Sequence, residues 1–141
     1  GISPYDPHDN STTIYLRGSD EIVSGTVVDF GGNDPLIYRK KLSAPDREDW
    51  IRTKGDDFHI LDNPNFVASF EHEEFIYFWF RERAAEAMDN NDERQVYARV
   101  SRVCKNDKGG VSPAKEKFTS FLKARLNCSI GAATPFYFNE L

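Results

Sequence analysis

The chain has 141 residues, two cysteines and a formal net charge of −5 from 18 basic and 23 acidic side chains; that length suits one ordinary domain of roughly 100–150 residues. The acidic balance argues against a partner held through nucleic-acid phosphates, which requires a clustered basic surface. No apolar run reaches the roughly 18 residues that would span a membrane, and two cysteines do not by count alone make a disulfide scaffold.

The local signals are those of β-structure. Thr12–Leu16 opens the series, and Ile22-Val-Ser-Gly-Thr-Val-Val-Asp-Phe30, rich in β-branched residues, predicts a strand over Glu21–Phe30 that ends at the turn signal Gly31-Gly-Asn-Asp-Pro35. Leu36–Leu42 returns as its hairpin partner, and Trp50–Lys54 completes a first group of four. Asn63-Pro64 breaks the chain before a second group that opens with Phe66–Phe70, Phe75–Glu82 and Val96–Lys105. Within it, Phe75-Ile-Tyr-Phe-Trp-Phe80 is six large apolar residues in a row, which reads as a strand buried on both faces. In Val96–Cys104 a period of two places Val96, Ala98, Val100 and Cys104 on one face, with Arg102 as the exception.

Phe118–Cys128 fits a helical stripe slightly better than strand alternation; as a strand it turns Leu122, Ala124, Leu126 and Cys128 inward and Lys123, Arg125 and Asn127 outward. Ala84–Met88 has helix propensity but is too short to hold a helix alone. Phe136-Tyr-Phe starts a further element. The second strands of the two groups begin near Glu21 and Glu74, about 53 residues apart, the scale of a propeller blade, although the residues themselves do not recur.

Motifs of catalysis and metal binding are missing or broken. His72-Glu73-Glu74 opens like a zinc-protease motif, but Ile76 stands where the second histidine is needed. Asp89-Asn-Asn-Asp-Glu93 begins like a calcium loop, yet Arg94 replaces the required glycine and Val100 the closing glutamate. Asp56, Asp57 and His59 read as a surface turn, and Gly25 within Ser24-Gly-Thr26 as a close-packing glycine of a strand. Cys104 beside Arg102 and Lys105 has no histidine near it in sequence to make it a nucleophile. Nothing asks for a cofactor. Asn10-Ser-Thr12 and Asn127-Cys-Ser129 are N-glycosylation sequons, meaningful only in a secreted chain.

The last third carries the most distinctive pattern: Arg99-Val-Ser-Arg-Val-Cys104-Lys-Asn-Asp-Lys-Gly-Gly110, followed by Phe118-Thr-Ser-Phe-Leu-Lys-Ala-Arg-Leu-Asn-Cys128-Ser. This pair resembles the sema domain of semaphorins. Pro4-Tyr-Asp-Pro7, Ser24-Gly-Thr26, Asn63-Pro-Asn-Phe-Val67, Phe78-Trp-Phe-Arg-Glu82 and Pro135-Phe-Tyr-Phe-Asn-Glu140 follow in semaphorin order, so the resemblance spans essentially the whole chain. Pro35-Leu-Ile-Tyr and the Pro135 run look most like invertebrate-type semaphorins. The chain departs from the pattern at Ser3, where many semaphorins have cysteine, and at Asp89–Arg94, which replaces an Asn-Cys-Gly found in several classes.

The resemblance implies an all-β fold, with Phe118–Cys128 a strand at the outer edge of its blade, and about two four-stranded antiparallel blades (12–54 and 66–128, with a further one starting over 136–141) of a seven-bladed propeller. The chain then reads as an internal portion of that domain, with Cys104 and Cys128 bonded in the family to cysteines further along. Without those partners they are either free or joined to each other, which requires Cα atoms within roughly 7 Å. The implied function is that of an extracellular, non-enzymatic guidance ligand that binds plexin receptors, directs axons or migrating cells, and forms a sema-domain homodimer. Alternatives are the sema domain of a plexin-type receptor, or part of a catalytic propeller. Recognition is expected in the loops Ala84–Gln95 and Lys105–Lys117, through Asp89, Asp92, Glu93, Arg94, Lys105, Asp107 and Lys108. Two blades alone leave open faces and edges, so a piece of this size is expected to be poorly soluble or to oligomerise.

Overall fold

A computed structural model describes residues 6–31, 34–44, 50–55, 57–88, 94–131 and 136–141. Among these residues the regular structure is entirely β, in ten strands: β1 (Thr12–Leu16), β2 (Glu21–Val27), β3 (Pro35–Lys41), β4 (Ile51–Arg52), β5 (Asn65–His72), β6 (Phe75–Met88), β7 (Arg94–Cys104), β8 (Leu122–Arg125), β9 (Ser129–Ile130) and β10 (Phe136–Tyr137). They form two four-stranded antiparallel sheets, each in chain order, β1-β2-β3-β4 and β5-β6-β7-β8, and a two-stranded ribbon of β9 and β10. The β1–β2, β3–β4, β5–β6 and β7–β8 connections lie at one end of the strands, here the loop end. Those joining β2–β3, β4–β5 and β6–β7 lie at the other, the hairpin end.

The core lies between the two sheets, where Val23 and Ile37 of the first meet Phe66, Ile76, Phe78, Phe80 and Val103 of the second, with Leu16 and Leu61 closing it. Burial of this much aliphatic and aromatic surface, at about 25 cal/mol per Å², is the main force holding the sheets together. Gly25 is required here: a Cβ on it would lie 2.6–2.9 Å from the Phe66 ring, so the bare backbone is what lets the sheets close on that phenylalanine. Along their inner edges the sheets are further tied by Thr12 Oγ1 and Ser69 Oγ, 2.7 Å apart. The opposite face of the first sheet buries Ile22, Leu36 and Tyr38, with Trp50 stacked on Tyr38 at 5.0 Å between ring centroids.

Several expectations are corrected. The six-residue aromatic run is not equally buried on both faces: Ile76, Phe78 and Phe80 are sealed in the core, while Phe75, Tyr77 and Trp79 are half-buried on the other face. There Phe70 stacks on Trp79 and Tyr77, at 4.5 and 5.5 Å. Ala84–Met88, expected to lie in a loop beyond a strand ending at Glu82, continues β6, because it stays paired with β7 across an irregularity between Arg83 and Met88 and Ala84 is fully buried.

On β7 the facing departs from that expected: Arg99, Ser101 and Val103 are buried, while of the set expected inward Val96 is exposed, Val100 and Cys104 are half-buried and only Ala98 is buried. The expected 118–128 strand shrinks to Leu122–Arg125, with inverted faces: Leu122 points outward and Lys123 inward onto Glu82. The residues before it are used otherwise, since Phe118 and Phe121 pack against the core and Thr119 and Ser120 bind Asp107. One cause explains both departures: Glu82 is buried on the core side of β6, so its neighbours β7 and β8 turn a cation, not an aliphatic side chain, toward it.

Candidate functional site

The two stretches expected to carry recognition sit at opposite ends of the second sheet. Phe75 pairs with Cys104 at the loop end and Met88 with Arg94 at the hairpin end, a separation of about 40 Å along a 14-residue strand at roughly 3.3 Å per residue. Each end is organised by a buried carboxylate.

At the loop end that carboxylate is Asp107. Its side chain accepts hydrogen bonds from the backbone N–H groups of Gly109 (2.9 Å), Thr119 (2.8 Å) and Ser120 (2.9 Å), and from the Thr119 and Ser120 hydroxyls at 3.0 and 2.6 Å. Burial raises its pKa, but the bonds from Ser120, Gly109 and Thr119 outweigh that and hold the carboxyl below the usual aspartate range. The carboxylate of Asp107, one of the residues expected to face a receptor, turns inward and folds the loop. Gly109, at φ +81°, makes the tight return, and a Cβ on it would meet the Lys115 carbonyl oxygen.

The first sheet grips the same loop. Arg39, itself buried, donates through Nη1 to the Lys105 carbonyl at 2.6 Å and through Nη2 to the Asp107 carbonyl. The Arg52 N–H reaches the Glu116 carbonyl (2.9 Å) and the Phe118 N–H the Arg52 carbonyl (3.0 Å), which makes an isolated parallel bridge. Of the other residues expected here, Lys105 is paired with Glu71 at 2.7 Å, while Lys108 is exposed with no ion-pair partner among the described residues.

At the hairpin end Asp62 takes the corresponding part, but with cations. Arg83 donates to its Oδ1 through Nη2 at 2.9 Å, and Arg94 pairs with its Oδ2. The Arg83 N–H bonds the Asp62 carbonyl, and the Arg94 guanidinium lies 4.5 Å over the Phe58 ring. Arg94 is thus held at the base of the hairpin; Asp89, Asp92 and Glu93 lie outside the described residues. Beside this base opens a cavity of about 530 Å³ lined by Asp6, Asp9, Phe30, Asp57, Asp62 and Arg83 among others.

Between the two ends runs a charged cluster buried in the second sheet. Glu82 accepts from Arg99 Nε (3.1 Å) and Lys123 Nζ (2.5 Å) on one oxygen and from the Asp62 N–H (3.1 Å) on the other. Lys123 also donates to the Ile60 carbonyl at 2.8 Å, and Arg99 to Glu86 at 2.6 Å. Burial pushes the Glu82 carboxyl above the usual glutamate range, and Lys123 and Arg99 counter this only in part. Sequence reading missed Glu82, Asp62 and Arg39. The signal available for Glu82 was its position two residues beyond Phe80 on the core face of an unbroken strand.

Cys104 and Cys128 are both free. They sit at opposite ends of the β7–β8 pair: Arg102 faces Leu122 and Arg99 faces Arg125, which separates the cysteines by on the order of 20 Å at roughly 3.3 Å per residue. A bond between them is ruled out. Asn127 is exposed just past β8, and Asn10, also exposed, donates its amide to Asn65 at 3.0 Å. Among the described residues no group of histidine, cysteine, aspartate or glutamate could hold a metal ion, and no helix is long and apolar enough to cross a membrane.

Two sequential four-stranded antiparallel sheets packed face to face have the architecture of part of a β-propeller. No family model matches the chain. Individual relatives do: it is 48% identical over its full length to Semaphorin-1A of Schistocerca americana and 46% identical over 98% of its length to Semaphorin-5B of Mus musculus. It matches the solved extracellular domains 1-2 of Drosophila Semaphorin 1b over 98% of the chain at 46% identity, with a TM-score of 0.82. A chain of the complex between Drosophila Plexin A and Semaphorin 1b matches over 97% at 44% identity, with a TM-score of 0.81. The chain belongs to the semaphorin family. It spans 18% of the length of the grasshopper relative and 24% of each of those two solved chains.

Proposed function

We propose that the protein carrying this chain is an extracellular guidance ligand whose sema domain binds a plexin receptor and so directs axon growth or cell migration. The observation that carries this reading is the likeness, at 44% identity and a TM-score of 0.81, to a chain of the Plexin A–Semaphorin 1b complex. The architecture suits the role: rigid sheets hold loops at fixed positions, and the densest polar networks serve to set loop geometry rather than to poise a reacting group.

In this reading residues 12–54 and 66–128 are consecutive blades and 136–141 begins the next, and the intact domain forms a homodimer. Cys104 and Cys128 bond to partners outside the chain, which their separation and freedom favour, and Asn10 and Asn127 accept glycans. Receptor contact is assigned to the hairpin end, through Asp89, Asp92, Glu93 and Arg94. Two features support that end: the larger cavity lies beside it, and at the loop end Asp107 and Lys105 are already spent on internal contacts.

The test is capture of soluble plexin ectodomains by the immobilised full-length ectodomain carrying this chain. Saturable binding to at least one plexin is expected. Failure against the whole plexin set, or reproducible hydrolytic turnover by the same preparation, would sink the reading.

A further inference from the structure

The hairpin end is held from inside the second sheet. Lys123 of β8, largely buried, donates to Glu82 Oε1 of β6 at 2.5 Å and to the Ile60 carbonyl at 2.8 Å. The other oxygen of Glu82 takes the Asp62 N–H at 3.1 Å, and the Arg83 N–H reaches the Asp62 carbonyl at 3.1 Å. The Ile60 carbonyl and both backbone groups of Asp62 are thus fixed by the second sheet, which leaves the Asp62 carboxylate to face Arg83 and Arg94. Arg94 opens β7 directly after Asp92 and Glu93.

Cohesion alone does not call for this arrangement. Glu82, Arg99 and Asp62 are all buried, and apolar side chains of similar volume often stabilise a fold as well as a buried ion pair does, or better. What charge adds is direction. Each bond ends on one particular atom, and the series runs without a gap from Lys123 through Glu82 and Asp62 to Arg94, whose guanidinium rests over the Phe58 ring of the same β4–β5 connection. Arg99 forms a side branch to Glu82 and Glu86, so Glu82 keeps a counter-ion when the charge of Lys123 is removed.

We propose that Lys123 and Glu82 are positioning residues for the receptor contact: acting through Asp62, they set the placement of Arg94 and of the hairpin that Arg94 anchors. Resting on the reading that a plexin meets this hairpin, the role adds a determinant that itself touches no receptor. Lys123 stands on β8, at the edge of the sheet beyond β7, and the side chains of Lys123 and Glu82 are only 13% and 1% exposed, so neither offers open charge to a partner. They act on the geometry of the contact and not on its charge. A buried network of this kind carries coupling when its members respond together, and that response, not their order in space, is what demonstrates the connection.

The experiment measures plexin affinity and amide hydrogen exchange on the full-length ectodomain carrying this chain. K123M, which keeps the volume and removes the charge, is expected to weaken plexin binding by about threefold to tenfold and to raise exchange over residues 57–62 and 94–97. K123R is expected to restore most of both. R94A weakens binding by itself, and K123M/R94A is expected to stay within about twofold of R94A, because both changes act on one contact. F118L, which removes core packing contributed by the β7–β8 connection, is expected to lower the unfolding temperature while leaving affinity within about twofold of wild type; that separates positioning from general stability. If K123M does not fold, E82Q carries the same comparison with R94A. Wild-type affinity in K123M, losses that multiply in the double variant, unchanged exchange over 57–62 and 94–97, or an affinity loss in F118L equal to that in K123M overturns the proposal. If the wild type captures no plexin, the receptor reading fails by itself. The exchange measurement then decides whether Lys123 places Arg94: a rise at 94–97 in K123M supports it, and no rise overturns it.

Discussion

The two ends of the second sheet solve the same problem by different chemistry. At the loop end Asp107 is held by five hydrogen bonds from backbone N–H groups and hydroxyls, with no cation among them. At the hairpin end Asp62, and Glu82 just inside it, face arginines and a lysine. Neutral donors stabilise a carboxylate and fix a loop without enclosing further charge. Charge pairs hold strands together but leave each partner dependent on the other, since a lone buried charge is costly. The loop end is therefore expected to be locally rigid and separable in its energetics, and the sheet interior to fail as a unit.

The largest effect is expected from R99M, which removes a buried cation and leaves Glu82 and Glu86 without their guanidinium. Loss of about 3–5 kcal/mol in urea unfolding is predicted, against a smaller loss for E82Q. The order follows from Glu82, whose burial already favours the proton-bearing form. A group with a raised folded pKa contributes most below its unfolded value and loses that contribution as pH rises through the folded one. R99M raises the Glu82 pKa further and should recover stability on acidification from neutral pH. An E82Q variant weaker than R99M at neutral pH would reverse the comparison.

D107N comes next, at about 2 kcal/mol for hydrogen bonds to a charged acceptor. The sign runs opposite to Glu82. The folded pKa of Asp107 is lowered, so its contribution is complete above the ordinary aspartate range and lost as pH falls through the folded value. Wild type and D107N should converge under acid, and hydrogen exchange should rise over residues 105–120 but not over 75–88. Spread of that exchange into β6 would show that the ends are not separable.

G25A is the smallest of the three, about 1–2 kcal/mol from overpacking against Phe66. The loss is expected to be reduced in G25A/F66L, and equal losses in the two backgrounds would remove Phe66 as the cause.

Much of the fold could be read from residues. Gly25 was legible as a packing glycine because nothing in Ser24-Gly-Thr26 suggested a turn, and Phe75–Phe80 because six large apolar residues in a row need a buried sheet. The four-strand grouping was readable from Asn63-Pro64 and Gly31–Pro35. What failed was the facing of β7 and β8, where period two alone assigns the apolar set inward. That rule has no way to know that Glu82 occupies the core and draws Arg99 and Lys123 to it. The site was legible only as two loops. Their opposite placement and the inward turn of Asp107 depend on pairing across distant segments: Arg39 with Lys105, and Arg52 with Lys117.

The central claim, that a plexin meets the hairpin end, is tested most directly by plexin binding to two charge-reversed ectodomains. The account predicts that D92K/E93K lowers affinity by about tenfold or more, as loss of close interface charges does, while K108E stays within about twofold of wild type. Undiminished binding by D92K/E93K together with a large loss in K108E would contradict it.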